Sequence, residues 1–343
     1  MERTPLKLKL YEIKDRISQK KVELVNLPSR IDFHKDLSAE LGFNFFLKRD
    51  DILGLYGGNK PRKLEFIFKQ IKDSQKKDVF IFGPTGSHHI LANLIYAKDF
   101  FQDIKFTTFV FPTYLWKWGD VYVRENTELA KKLSFRFVFV PTFLHAFIIS
   151  KVLATIRKGF FVPAGSTSEI SSLGFVLAAI EIKEDVLSGK IPEPDFIFLP
   201  VGTMGTLVGL SCGLAICGMK TKILGCAVVE RILCNEFLAK KLISKVIKVL
   251  KEILNLSDLT KIKESAFSNF SIIHSFLGRG YGYPSDEGIE AMRFFSKYMK
   301  VEKTYTAKTL AAILAKKDEF KNKNILFYCT LNSLPMNFSK FGK

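Results

Sequence analysis

"FIFLPVGTMGTLVGLSCGLAICGM", residues 196–219, runs for 24 positions without a charged side chain. Length alone would let it cross a bilayer as one helix, and Gly205, Gly209 and Gly213 stand at the GxxxG spacing of packed membrane helices. The run divides internally, however. "FIFLPV" is aromatic and β-branched, "GTMGT" is a glycine-rich turn, and "LVGLSCGLAICG" is a helix of small residues. Pro200 sits where a strand should stop. Strand, glycine loop and buried helix account for every residue, so the stretch predicts a β–loop–α unit of a soluble α/β protein.

The same alternation recurs on both sides of it. Strand-like runs occur at "DVFIFGP" (78–84), "IKFTTFVF" (104–111), "FRFVFV" (135–140), "GFFVPAG" (159–165), "TKILGCAVV" (221–229) and "KNILFYC" (323–329). Such continuous apolar runs belong to parallel sheets covered by helices on both faces. Helices are expected over 171–189, after serine-rich capping residues, over 235–254, whose apolar residues keep a helical period, and over 288–300. Alternating strand and helix across 343 residues predicts a doubly wound architecture in two lobes with a cleft between them.

Composition narrows the class. There are 52 Lys and Arg against 34 Asp and Glu, a formal net charge of +18. A charge of that size attracts polyanions without specifying one. The lysines are spread over polar helix faces, with no arginine-rich arm and no aromatic–basic interleaving, so no specific nucleic-acid partner is expected. Five cysteines (212, 217, 226, 234 and 329) lack CxxC spacing and read as buried, reduced thiols of a cytoplasmic enzyme rather than a disulfide or zinc framework. "MERTPLKLKLYEIK" offers no apolar secretory region.

Four places join glycine to a reactive side chain. In "DDILGLYGGNKPRKLEF" (50–66), Gly57, Gly58 and Asn59 make a tight turn before Lys60, and Pro61 is expected to hold Lys60 extended. A lysine on so rigid a turn suits Schiff-base chemistry, the alternative being an exposed lysine beside Arg62 and Lys63. In "GPTGSHHILANL" (83–94), a helix N-terminus offers N–H groups to an anion such as a carboxylate, and Ser87 could relay a proton. Adjacent His88 and His89 point apart with no third ligand, so no metal is expected, and GxSxG is absent. In "PVGTMGTLVG" (200–209), backbone amides with Thr203 and Thr206 could cradle a cofactor monophosphate, for there is no GK[ST] ending of a nucleotide loop. Tyr281, Tyr283 and Tyr305 lie in turns or at helix starts, where a ring or phenol can face a ligand.

Taken in order, these places resemble the pyridoxal-phosphate enzymes that include D-cysteine desulfhydrase and 1-aminocyclopropane-1-carboxylate deaminase. The hallmark "KRDD…GGNKxRKLEF" stands here as "KRDDILGLYGGNKPRKLEF" (48–66). "PAGSTSEISSLGFVLAAIEI" (163–182), "VGTMGTLVGL" (201–210), "GYGYPSDEGIEAM" and "TYTAKTLAAIL" are similar to further family segments, and the likeness spans about residues 5–335. The resemblance implies a two-domain, fold-type-II architecture like the tryptophan-synthase β chain, each domain an open, mostly parallel sheet flanked by helices. Residues 1–60 with 172–343 would form the large cofactor-binding domain and 61–171 the small one.

It also implies roles. Lys60 would hold pyridoxal 5'-phosphate as a Schiff base and exchange protons with the substrate Cα, with Asn59 beside it. Gly202, Thr203, Met204, Gly205 and Thr206 would bind the phosphate. Ser87 would shuttle protons near the substrate carboxylate, with His88 and His89 at the substrate. Tyr281 and Tyr305 would be active-site tyrosines, Tyr305 near the cofactor ring, and Thr330 would partner the ring nitrogen. A neutral hydroxyl there, together with Thr306, suits α,β-elimination from D-cysteine to pyruvate, ammonia and sulfide. The alternatives are a 1-aminocyclopropane-1-carboxylate deaminase, another deaminase, dehydratase or racemase, or a catalytically impaired cofactor-binding descendant. Family members generally form homodimers and act on small amino acids. Three departures stand out: His88 replaces an asparagine that bonds the cofactor's phenolic oxygen, "CTLN" (329–332) replaces "HTGG", and Pro61 replaces threonine.

Overall fold

The computed structural model describes residue 6, residues 8–117 and residues 119–334. Ten strands follow in chain order: β1 (Ile31–Phe33), β2 (Asn44–Lys48), β3 (Asp78–Pro84), β4 (Lys105–Phe111), β5 (Arg136–Phe139), β6 (Phe160–Val162), β7 (Phe196–Val201), β8 (Lys222–Ala227), β9 (Phe270–Ile273) and β10 (Asn324–Tyr328). They form a six-stranded sheet, β1-β2-β10-β7-β8-β9, and a four-stranded sheet, β5-β4-β3-β6. Every pairing is parallel except the edge strand β1 on β2. Parallel neighbours need crossovers, and helices supply them on the faces of both sheets.

Residues 196–219 fold as the β–loop–α unit. β7 lies between β10 and β8, and the helix Gly205–Ile216 that follows is buried along its whole length. Its GxxxG spacing serves close packing inside the protein. A Cβ on Gly209 would lie 2.2 Å from the Ser172 carbonyl oxygen, and one on Gly213 would lie 2.5 Å from the Ala179 Cβ. Both neighbours belong to the start or body of the helix Leu173–Leu187, so small residues let two buried helices touch backbone to backbone. Leu207, Val208, Leu210, Leu214 and Ile216 are fully buried, each worth about 1.5–3 kcal/mol over exposure. Among the described residues, no helix is long and apolar enough to cross a membrane.

The expected strands are present with trimmed ends. The run 159–165 ends at Val162, because Pro163 follows and Gly165 and Ser166 both take positive φ, +60° and +53°. β1, β2 and β9, absent from the sequence reading, are short and carry polar residues such as Asp32, Lys48 and Ser271. The helices expected over 235–254 and 288–300 span Glu236–Leu254 and Asp286–Phe295. All five cysteines are free and buried, and burial pushes the thiols of Cys217, Cys226 and Cys234 up to about 12.

Candidate active site

The turn before Lys60 is built by glycine for two reasons. Gly57 and Gly58 hold φ of +79° and +77°, which side-chain-bearing residues adopt only under strain. Each also lies against backbone: a Cβ on Gly57 would fall 2.7 Å from the Asp51 carbonyl oxygen, and one on Gly58 would fall 3.1 Å from that of Thr330. Asn59 N–H donates to the Thr330 carbonyl (3.0 Å), which brings the C-terminal end of β10 to the turn. The expectation of an extended Lys60 is corrected: its φ and ψ are −62° and −38°. Its carbonyl accepts from the amides of Lys63 (2.9 Å) and Leu64 (3.1 Å), and these bonds outweigh the bias that Pro61 imposes. Lys60 thereby caps the helix Pro61–Ser74. Its amine donates to the Asn59 side-chain oxygen (3.3 Å), and burial lowers its pKa from 10.5 to about 8. Asn59 Nδ2 donates in turn to Thr206 (3.1 Å), tying the lysine turn to the glycine loop.

Arg62 and Lys63 are not surface neighbours of Lys60; both are buried. Arg62 donates to Asp50 (2.7 and 3.0 Å) and to both oxygens of Glu181 (2.8 and 2.8 Å). Lys48 also reaches Glu181 (2.8 Å), and Tyr328 donates to Asp50 (2.6 Å). Two cations and two carboxylates thus form a neutral buried frame under the turn. The attraction of Arg62 and Lys48 outweighs burial and holds the Glu181 carboxyl down at about 2.

Lys63 faces the other way, into the glycine loop. Its ammonium donates to Thr167 Oγ1 (2.8 Å) and the Gly165 carbonyl (3.1 Å), and a Cβ on Gly205 would come within 3.1 Å of it. Burial, then the charge of Lys60, drives its pKa well below the usual lysine value. Its hydrogen-bond partners are neutral oxygens and its Nζ lies 5.8 Å from the Phe175 ring, so an anion bound at the loop would favour its charged form. Thr167 bonds Thr203 across the loop (2.6 Å), Met204 takes φ of +62°, and the helix N-terminus opens at Gly205. Next to Gly202 there is open space, for a Cβ there meets only Val228 at 3.7 Å. A buried lysine, two threonines, a helix N-terminus and an open glycine fit a phosphate monoester.

Ser87 caps the helix His88–Phe100, its hydroxyl accepting from the Ile90 amide (3.4 Å). The two histidines part company at once. His88 has a tyrosine hydroxyl on each ring nitrogen, Tyr56 on Nδ1 (2.6 Å) and Tyr122 on Nε2 (3.2 Å). Burial, with the charges of Lys60 and Lys300, lowers its pKa to about 3, so the ring is neutral and bridges the two phenols. A direct bond from His88 to a ligand therefore requires giving up one of these tyrosines. His89 turns inward to Ser166 (3.0 Å) and Asn93 (3.3 Å), while its Nε2 is buried without a partner among the described residues.

Tyr281 and Tyr305 meet hydroxyl to hydroxyl at 2.6 Å. Glu302 fixes Tyr305 by accepting from the amides of residues 304, 305 and 306 (2.7, 2.7 and 2.6 Å), a carboxylate at the N-terminus of the helix Thr306–Ala315. Buried Lys308 fixes the other side, donating to the carbonyls of Leu277 (2.7 Å) and Gly280 (3.0 Å) in the loop that carries Tyr281. Tyr283, read as a candidate ring, instead stacks on Tyr114 (3.8 Å between centroids).

Direct bonds therefore join Lys60, Asn59, Thr206 and Thr330, and separately Tyr281 with Tyr305. Lys63, Thr167, Tyr56, Tyr122 and Glu302 were missed by sequence reasoning. Only Lys63 carried a signal, its place three residues after Lys60 on one helical face.

The profile of a family described as "Pyridoxal-phosphate dependent enzyme" matches residues 26–330. A Thermotoga maritima protein named "Putative 1-aminocyclopropane-1-carboxylate deaminase" is 25% identical over 323 residues, 90% of this chain and 95% of its own length. The D-cysteine desulfhydrase of Klebsiella pneumoniae (strain 342) is 22% identical over 330 residues, 93% of this chain and 95% of that one. A solved structure titled as an ACC deaminase homologue superposes with a TM-score of 0.76 at 22% identity, over 93% of this chain and 94% of that one. The α/β architecture is that of the fold-type-II enzymes. With a match over most of its length, the chain belongs to the pyridoxal-phosphate-dependent enzyme family, and pyridoxal phosphate is its cofactor.

Proposed function

We propose that the protein is a lyase that converts D-cysteine, or a related D-amino acid with a β leaving group, and water to pyruvate, ammonia and hydrogen sulfide. The observation that carries this reading is the Lys60 amine, half-buried on a glycine turn, lowered by desolvation to about 8 in pKa, and tied through Asn59 to the candidate phosphate loop. The cofactor supplies a sink for the electrons left at Cα when its proton departs. The protein does the rest. Lys63, Thr203, Thr206 and the amides from Gly202 to Gly205 hold the phosphate. The Lys60 amine, neutral in part near pH 7.5, would hold the cofactor and, once displaced from it by the substrate amine, would be placed to take the Cα proton. Ser87 and the open amides of its helix receive the substrate carboxylate, with His89 Nε2 as a further polar group on that side. The Tyr281–Tyr305 pair shares one short hydrogen bond and delivers a proton to the departing sulfur. Thr330 would offer a neutral hydroxyl to the cofactor ring, which would limit the electron sink and favour substrates with a good leaving group. Tyr56 and Tyr122 occupy both ring nitrogens of His88 and fix its orientation.

The relatives' names also favour a second reading, ring opening of 1-aminocyclopropane-1-carboxylate to 2-oxobutyrate and ammonia. One assay separates the two. Purified protein loaded with pyridoxal phosphate is given D-cysteine, L-cysteine, D-serine and the cyclopropane amino acid, and the oxo acids and sulfide are measured. Sulfide with pyruvate from D-cysteine is expected. Oxobutyrate from the cyclopropane substrate with no sulfide would replace the proposal. The five buried thiols fit work in the cytoplasm.

A further inference from the structure

Asn126, on the helix Val121–Leu133, is fully buried, and neither its Nδ2 nor its Oδ1 has a hydrogen-bond partner among the described residues. An amide unpaired at both ends and away from water costs stability, so such a group calls for a reason. The helix that carries it is pressed against the turn leading into Ser87 and His88. Thr127 Oγ1 accepts from the Gly86 amide (2.9 Å), and a Cβ on Gly86 would fall 2.9 Å from Val123 Cγ1. One turn before Asn126, on the same helical face, stands Tyr122, the phenol at His88 Nε2.

The two bonds to His88 are unequal. Tyr56 lies 2.6 Å from Nδ1, and Tyr122 lies 3.2 Å from Nε2. A hydroxyl donor makes a shorter bond than a ring N–H, so the lengths put the proton on Nε2, donated to the Tyr122 oxygen, while the Tyr56 hydroxyl donates to Nδ1. Tyr56 is 2% exposed and fixed, whereas Tyr122 is 39% exposed and has room to turn. Burial pushes the Tyr122 phenol up to about 12, and the nearby Asn126 side chain works against that rise. Tyr122 therefore has a second partner within reach that it does not use. His88 itself lies where the charge of Lys60 is felt, and His89 Nε2, buried and unpartnered among the described residues, marks the same helix N-terminus.

We propose that Asn126 is a positioning residue for ligand binding: when the carboxylate of an amino acid reaches the N-terminus of the helix His88–Phe100, the Tyr122 hydroxyl passes from His88 to Asn126, and His88 Nε2–H donates to the carboxylate instead. This rests on the carboxylate site of the proposed function. No hydrogen bond is given up without a replacement. Nε2–H exchanges a phenol oxygen for a carboxylate oxygen, Tyr122 exchanges an imidazole for an amide, and no proton changes owner. A ligand seated on Asn126 itself is disfavoured, because its amide is closed off from solvent, while a side chain one turn away can reach it.

Titrating the cofactor-loaded full chain with D-alanine tests the assignment. This probe carries the amine and carboxylate of the proposed substrate but no β leaving group. Binding is followed by the cofactor's absorbance and by nitrogen-15 spectra of histidine-labelled protein. In the wild type the His88 Nε2 signal is expected to move as D-alanine saturates. Asn126→Leu keeps the branched outline and removes the polar atoms, so it is expected to weaken D-alanine about 3–10-fold, the contribution of one neutral hydrogen bond. Asn126→Ala, which cannot overfill the site, is expected to do the same. Tyr122→Phe has no hydroxyl to rehouse, so adding Asn126→Leu to it should change the affinity by no more than about twofold. A loss that persists in the Tyr122→Phe background, an affinity unchanged in both Asn126 variants, or a His88 signal indifferent to bound D-alanine would each overturn the proposal. Failure of the functional reading looks different: the absorbance of the wild type itself would not respond to D-alanine, and the proposal would fall with it.

Discussion

Glu181→Gln removes one charge from the buried frame and leaves the shape nearly unchanged. In the wild type, Glu181 accepts from Lys48 and twice from Arg62, all at 2.8 Å, and none of the three side chains is more than 3% exposed. The variant leaves Lys48 with the Ser29 carbonyl and Arg62 with Asp50, one buried positive charge in excess. Breaking a buried pair in this way costs about 3–5 kcal/mol. The pKa gives a consistent figure: a carboxyl moved from 4.5 to about 2 corresponds to roughly 3 kcal/mol of preference for the charged form. Because the folded carboxyl binds its proton less readily than the unfolded one, this stabilisation is complete above pH 4.5. It is lost as pH falls through about 2. Urea unfolding followed by circular dichroism at pH 7 and at pH 3.5 measures both. The variant should be less stable by about 3 kcal/mol at pH 7, with the gap narrowing at pH 3.5. A gap below about 1 kcal/mol at pH 7 would refute the account of the frame, as would a gap independent of pH.

Three further outcomes follow from the site. Lys63→Met should weaken pyridoxal-phosphate binding about 10–100-fold while the cofactor still attaches at Lys60, read by titrating the apoprotein; unchanged affinity would remove Lys63 from the cradle. Gly58→Ala forces a Cβ into φ of +77° and 3.1 Å from the Thr330 carbonyl, so it should cost about 1–2 kcal/mol in stability and slow cofactor loading. The His88 imidazole should stay neutral from pH 5 to pH 8 by nitrogen-15 NMR of the apoprotein, since burial and the charges of Lys60 and Lys300 hold its pKa near 3. A titration midpoint near 6.5 would contradict the Tyr56–His88–Tyr122 bridge.

How far the sequence reaches depends on where partners lie. The unit at 196–219 was legible because glycine, proline and β-branched residues carry local meaning, and the β–loop–α reading needed nothing distant. Lys60 was legible for the same reason, through Gly57 and Gly58. Arg62 and Lys63 were not, because Lys60, Arg62 and Lys63 within four positions read as a solvated turn. The burial of Arg62 depends on Asp50, 12 residues away, and Glu181, 119 residues away, and that of Lys63 on Gly165 and Thr167, 102 and 104 residues away. His88 stood out in the sequence, yet its tyrosines lie 32 and 34 residues from it on other elements. The helix Phe143–Ile156 escaped notice because apolar residues on both faces erase the period that marks a surface helix.

The attachment of the cofactor is the claim on which the functional reading stands. Loading the protein with pyridoxal phosphate, reducing with borohydride and mapping the labelled peptide by mass spectrometry tests it directly. The label is predicted on Lys60, inside the peptide that carries Gly57, Gly58 and Asn59. A label on Lys63, or none at all in protein that has bound the cofactor, would contradict the account.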